Sequence, residues 1–188
     1  GFNPSMEPIL EVWAYDGLTQ EWEDYTPAAP HTGSAGSAVA YNSQYFKTLV
    51  FGGYRSEGDG TQIPHNETWQ YDAGDQTWTQ ITTTNAPSAR AGATMAFDSS
   101  RRKFILFGGT TSTTGGTTLS DTWEFDPATN TWTEIITNTP GSRYLAKMVY
   151  LTAHDRFLMV AGTDGTNMFS DTWVFDPGKQ TWAERLRA

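Results

Sequence analysis

The sequence predicts an all-β chain of repeated four-stranded antiparallel sheets packed face to face around an axis, and three observations carry that prediction. Aromatic residues make up 14% of the 188 residues and charged residues only 18%, a balance that suits half-buried strands better than solvated helices. All eight tryptophans fall into four pairs nine residues apart, Trp13/Trp22, Trp69/Trp78, Trp123/Trp132 and Trp173/Trp182, and the first members recur at intervals of 56, 54 and 50. Three of the pairs follow a short apolar run that closes on small residues: "TLVFGG" at 48–53, "FILFGG" at 104–109 and "FLMVAG" at 157–162.

Taken in order, the repeat opens with a strand of small residues ("GSAVAY", "GATMAF", "AKMVY") suited to a crowded position. The apolar run is the second strand, continuous as a strand buried on both faces should be. The third starts at the first Trp and ends on an aromatic and Asp ("WAYD", "WQYD", "WEFD", "WVFD"), and the fourth carries the second Trp. In "FDPATNTW" the proline fixes φ for a type I turn and the aspartate bonds back to the backbone, so each Trp pair is a hairpin. "SDTWEFDPATNTW" at 120–132 and "SDTWVFDPGKQTW" at 170–182 are that hairpin spelled twice. One such sheet cannot bury both faces alone and must stack on copies of itself, as a propeller blade does. The expected organisation is a single propeller segment over 1–188, with a half blade at 9–26 and full blades at 34–82, 89–136 and 142–186.

The diglycines Gly52-Gly53 and Gly108-Gly109, with the downstream Trp, aromatic and second Trp, closely resemble the kelch repeat from about Ile9 to Leu186. The resemblance implies a kelch-type β-propeller. Departures are Ala161-Gly162 in place of the third diglycine, and Ser34 where the other blades have Arg90 and Arg143. Closed propellers use about four to eight blades, so three and a half predict an incomplete ring in this chain. The eight residues ahead of the half blade are too few for its two missing strands, which need about twelve. Further sequence, a cleaved partner or additional copies are expected to complete the ring, because an open arc leaves aromatic faces in water.

Composition excludes several function classes. A net charge of -9 and a pI near 4.6 oppose binding to phosphate backbones and anionic lipid. No apolar run nears the roughly 20 residues that span a bilayer, so no membrane insertion is expected. Without cysteine there is no disulfide, thiolate metal site or thiol nucleophile, nor the cysteine-crosslinked tyrosine of copper-containing kelch oxidases. His31, His65 and His154 lack metal-ligand spacing, and "TDGTN" at 163–167 reads as a turn rather than a Ca²⁺ loop, so neither metal nor cofactor is expected. The glycine pairs end strands with no helix following, which argues against a phosphate loop. The N-terminus has neither a basic region nor an apolar stretch, and the sequence assigns no compartment.

Periodic residues are expected to be structural: the eight tryptophans, Gly52, Gly53, Gly108, Gly109 and Gly162, and the two arginines, which should pack on an aromatic ring or pair with an acid of the neighbouring blade. Arg101-Arg102-Lys103 reads as a solvated turn. The connections between second and third strands, 54–65, 110–119 and 163–169, vary in length and escape the packing constraint. Their repeat-breaking residues Tyr54, Arg55, Glu57, Asp59, His65, Asp164, Asn167, Met168 and Phe169 are the candidate binding residues. No catalytic constellation converges. The sequence therefore favours a noncatalytic module for protein interaction or assembly, with a protein partner or further copies of the chain. The alternative is a carbohydrate-binding or carbohydrate-active propeller of a secreted protein, which would need a concave pocket with nonperiodic aromatics and carboxylates.

Overall fold

Alternation of small and large residues in "AVAYN" and "TMAFD" gives the first two four-stranded sheets a first strand that fits a narrow space, and the structure builds outward from it. The computed structural model describes residues 11, 13–24, 26, 34–56, 61–112 and 116–185. The ends of the expected spans at Ile9 and Leu186, and candidates Glu57, Asp59 and His31, lie outside the described residues. β1 (Trp13–Asp16) and β2 (Glu21–Asp24) form a two-stranded hairpin. The first four-stranded sheet is β3 (Ala38–Asn42), β4 (Lys47–Phe51), β7 (Thr68–Asp72) and β8 (Thr77–Ile81), with the small hairpin β5 (Tyr54–Ser56) and β6 (Gln62–Pro64) between its inner and outer halves. The second is β9 (Thr94–Asp98), β10 (Lys103–Thr110), β11 (Thr118–Asp126) and β12 (Thr131–Ile135). The third is β13 (Lys147–Leu151), a 3-10 turn at Thr152–His154, β14 (Arg156–Val160), β15 (Thr172–Asp176) and β16 (Thr181–Glu184). Every four-stranded sheet is antiparallel in simple chain order, the topology of a propeller blade.

Register repeats as faithfully as sequence. Val50, Leu106 and Met159 face Trp69, Trp123 and Trp173, while Tyr71, Phe125 and Phe175 face Trp78, Trp132 and Trp182. The turn aspartates behave as the Asp-Pro reading requires: Asp72, Asp126 and Asp176 accept backbone N–H groups two residues on at 2.8–3.0 Å. Each turn closes on a left-handed residue, Gln76, Asn130 or Gln180, with φ of 53° to 55°.

Two cores lie between sheets. Ala38, Ala40, Leu49 and Phe51 of the first sheet meet Met95, Phe97, Phe104, Leu106, Phe125 and Trp132 of the second. Ala96, Ile105 and Phe107 on the second sheet's other face meet Met148, Phe157, Met159, Phe175 and Trp182 of the third. Of the three apolar second strands, only β10 is buried on both faces. β4 and β14 are buried on one, because among the described residues only the middle sheet has a full sheet on either side.

The second Trp of a sheet reaches back to the sheet before it. Trp132 packs on Phe51 at 4.9 Å between ring centroids and donates its indole N–H to Thr68 Oγ1 at 3.1 Å. Trp182 repeats this on Phe107 at 5.2 Å and Thr122 Oγ1 at 3.0 Å. In the β1–β2 hairpin, Trp13 and Trp22 are about half and two-thirds exposed.

Diglycines mark where one sheet's backbone meets the next. A Cβ on Gly52 would lie 2.5 Å from the Arg90 carbonyl oxygen, and one on Gly108 would lie 2.4 Å from that of Arg143. Both glycines also hold φ near +65°, which L-residues adopt at a cost. Nearer the axis, Gly92 N–H donates to the Gly36 carbonyl at 2.7 Å and Leu145 N–H to that of Gly92 at 2.8 Å, tying the three sheets in series.

Candidate functional site

In a sheet of this connectivity the links between second and third strands share one face of the disc with the links between sheets. That loop face holds the candidate residues, and its inner rim is built around one recurring acid. An acid stands two residues before the first Trp of each sheet: Glu67, Asp121 and Asp171. Asp121 accepts Trp123 Nε1 at 2.7 Å, Asp171 accepts Trp173 Nε1 at 2.7 Å, and Glu67 accepts Trp69 Nε1 at 2.8 Å. The acid-Thr-Trp pattern is a sequence signal that the expectations above did not use.

In the second and third sheets a buried arginine clamps this acid. Arg90 is 1% exposed; it donates to Asp121 Oδ1 and Oδ2 at 2.6 and 2.8 Å and to the Gly108 carbonyl at 3.0 Å. Arg143 donates to Asp171 at 2.5 and 2.8 Å and to the Ala161 carbonyl at 3.1 Å, with its guanidinium carbon 4.4 Å from the centroid of Phe169. Both arginines thus pair as expected, but with an acid of their own sheet rather than of the neighbouring blade. Their backbones run along the preceding sheet while their side chains turn back to their own third strand. Burial raises the Asp121 carboxyl, and the Arg90 guanidinium with the Trp123 N–H outweighs it, so the net shift is downward. Hydrogen bonds from Arg143 lead the lowering at Asp171.

The first sheet lacks the periodic arginine and supplies its cation from the loop. Arg55 on β5 pairs with Glu67, and Ser34, at the arginine position, lies 2.8 Å from His65 Nε2. Ser34, His65 and Glu67 stand in the order of a hydrolytic triad. The geometry does not support that chemistry: His65 Nδ1 is 4.0 Å from Glu67 Oε2, beyond a hydrogen bond, and Glu67 is already held by Arg55 and Trp69. Ser34 Oγ also lies 3.0 Å from Ser37 Oγ, so the group reads as a polar filling of the space an arginine occupies elsewhere.

The remaining candidates divide clearly. Tyr54 is bridged to Ala35 through backbone hydrogen bonds of 2.9 and 3.1 Å. Asp164 accepts backbone N–H groups of Thr166 and Asn167 at 2.8 and 2.6 Å and the Asn167 side-chain amide at 2.9 Å, which makes a self-contained turn. Those bonds lower its pKa. Phe169 lies under Arg143. Among the described residues, Met168 is 84% exposed on its loop and Ile63 on β6 is about half exposed.

On the opposite face a cleft of about 390 Å³ opens between the first two sheets, lined among others by Asn42, Tyr45, Gln70, Arg102, Phe104 and Asp126. The expected solvated run Arg101-Arg102-Lys103 is mostly engaged here. Arg101 reaches Asp98 at 3.0 Å and Asp155 of the third sheet at 2.5 and 2.8 Å, Lys103 pairs with Asp126, and Arg102 alone of the three is exposed. Tyr150 donates to Asp155 at 2.7 Å in the same cluster, and burial leads its phenol pKa up to about 12. Among the described residues, no three His, Asp or Glu side chains are placed to hold a metal ion.

A family model described as the KLHDC2/KLHL20/DRC7 Kelch-repeats domain matches residues 1–186. A solved structure described as "Structure of YjhT" superposes with a TM-score of 0.77 at 14% identity. The match covers 100% of this chain and 61% of that one, so this chain spans about three fifths of the other's length, and the likeness at this identity shows the fold.

Proposed function

Since the chain belongs to the KLHDC2/KLHL20/DRC7 Kelch-repeats domain family, whose fold is in general that of a protein-interaction module, we propose that it is a noncatalytic module binding protein through its loop face. One observation carries this reading: the acids Glu67, Asp121 and Asp171 on the inner rim are each bound by an arginine and an indole. They hold the scaffold, so the loop face offers shape and apolar surface such as Ile63 and Met168 rather than reacting groups. The test is a photo-crosslinking side chain placed at Ile63, at Met168, and at Ala128 on the opposite face, in the native cell. Polypeptide adducts from the first two positions and none from Ala128 are expected; equal labelling from all three would overturn the loop-face assignment.

A second reading is favoured by the inter-sheet cleft, where Tyr45 is a half-exposed aromatic that breaks the repeat. It is the carbohydrate-binding alternative. Its test is a titration with neutral monosaccharides followed by Tyr45 and Trp emission. Saturable binding abolished by Tyr45→Ala would replace the first reading.

A further inference from the structure

On the face opposite the binding loops, the two junctions between four-stranded sheets differ in what fills them. At the second junction Arg101 reaches from the turn between β9 and β10 across to the third sheet. Its guanidinium donates to Asp98 Oδ2 at 3.0 Å and to Asp155 at 2.5 and 2.8 Å, and lies 3.6 Å from where a Cβ on Gly178 would be. At the first junction Tyr45 stands at the repeat position of Arg101 and Ala128 at that of Gly178, and the cleft of about 390 Å³ opens between them.

Two acids of the second junction are amides in the first. Asp98 and Asn42 both end their sheet's first strand, and each accepts the N–H groups two and three residues on through Oδ1. The other oxygen of Asp98 accepts Arg101. Asn42 has Nδ2 in that place, a donor that bonds to no described group although the residue is only 3% exposed. Glu124 and Gln70 each follow the first Trp of their sheet. Burial leads the upward shift of the Glu124 carboxyl, and Asp126 and Asp98 add to it, whereas Gln70 lines the cleft as a neutral amide.

The cations are kept while those acids are not. Lys47 and Lys103 open the second strands of the two sheets, and Lys47 lines the cleft with Asp72 at 3.6 Å as its paired acid. Arg102 lines the cleft, exposed and paired with no described acid. Asp126 is the one acid among the described lining residues, and Lys103 holds it. In a chain of net charge -9 the cleft is therefore a local excess of donors and positive charge, walled on its apolar side by Tyr45 and Phe104.

We propose that the cleft between the first two sheets binds a small organic acid, its carboxylate on Asn42, Gln70, Lys47 and Arg102 and its apolar body against Tyr45 and Phe104. The ligand carboxylate does for the first junction what Asp98 and Glu124 do for the second, and the volume suits a small molecule. This goes beyond the loop-face reading, which it leaves standing, and gives the cleft a different ligand from the neutral saccharide considered above.

The experiment is a titration of the ¹⁵N-labelled full chain with benzoate, phenylacetate and 3-phenylpropionate, followed by amide shifts in nuclear magnetic resonance. The acid that fits should shift residues 42–47 and 101–103 saturably, and its neutral carboxamide should bind at least about 10-fold more weakly. Gln70→Glu and Asn42→Asp, which write the second junction's acids into the first, should each weaken the acid at least about 10-fold. Arg102→Gln should weaken it about 3-fold, as expected of an exposed charge. Circular dichroism checks that each variant is folded; should one not fold, the carboxamide on wild type still decides. No saturable shift from any of the three acids overturns the proposal, as does a carboxamide that binds equally well or a folded Gln70→Glu chain with unchanged affinity. Inorganic phosphate binding as tightly as the best acid also overturns it, since charge alone would then be read. A cleft that binds a monosaccharide and none of the acids would keep the carbohydrate reading and sink this one.

Discussion

Arg90 and Arg143 enter from the lead-in before their sheets and close on Asp121 and Asp171, whereas Glu67 in the first sheet receives its cation from Arg55, on a hairpin between the second and third strands. The three acids hold equivalent positions and each accepts an indole N–H, so the demand is the same. The supplies differ in burial. The two arginines are 1% and 2% exposed at the side chain, while Arg55 is 26% exposed. A carboxylate turned into a sheet rim needs a compensating charge, but the fold does not dictate which strand delivers it.

Breaking a buried clamp should give the largest effect. Arg90→Met keeps most of the side-chain volume but leaves Asp121 without its bidentate partner and the Gly108 carbonyl without a donor. Removing one member of a buried pair costs about 3–5 kcal/mol, so chemical denaturation should show a midpoint lowered accordingly, with the variant close to unfolding. Replacing both members, Arg90→Met with Asp121→Leu, should recover part of that loss, because no unpaired charge then remains.

The diglycines sharpen the comparison one step further. Gly108→Ala places a methyl against the Arg143 carbonyl and forces an L-residue into positive φ, two costs that together come to about 2–4 kcal/mol. Ala161→Gly, at the matching place in the third sheet, removes the strain with no described backbone to crowd it and should stabilise the chain by up to about 1 kcal/mol. Thermal melts of the two variants should move in opposite directions.

Acid titration separates the clamps by a smaller effect. Asp121 and Asp171 have folded pKa values below the ordinary carboxylate value, so their stabilisation is present above the unfolded pKa of about 4 and is lost as pH falls through the lowered folded values. Wild type should therefore lose stability from near pH 4 downward. In Arg90→Met the Asp121 carboxyl loses the group that holds it down, and the acid limb should be shallower. An identical limb in both proteins would mean that the Arg90 pair does not set the acid response.

The Trp period made the sheets, their order and their hairpins legible in the sequence, because a repeat must present the same groups to the same neighbour. The acid two residues before the first Trp is equally periodic, but its role is less legible than that of the aspartate after the aromatic, since turn chemistry is local and an acid held by a lead-in arginine is not. Arg55 and His65 show the limit more sharply. They break the repeat, which reads as freedom to bind a ligand, but a second break at Ser34 removed the periodic arginine and left a place that they fill. Only the folded chain brings residues 34, 55, 65 and 67 together. The exposure of Trp22 was illegible for a related reason: burial of that indole depends on what stands behind the hairpin, not on the hairpin itself.

Arg55→Met tests whether the first sheet's substitute clamp is as strong as those it replaces. Burial raises the Glu67 carboxyl, and the Trp69 N–H and the Arg55 guanidinium outweigh it to lower its pKa. Both side chains nonetheless stand about one quarter open to water, where screening and the entropy of a long side chain erode the gain. The expected loss is about 1 kcal/mol, and it should shrink further as salt is raised toward 1 M, unlike the loss in Arg90→Met. Equal losses from Arg55→Met and Arg90→Met, both insensitive to salt, would mean that burial does not rank the clamps and that the loop arginine is as integral to its sheet as the periodic ones are to theirs.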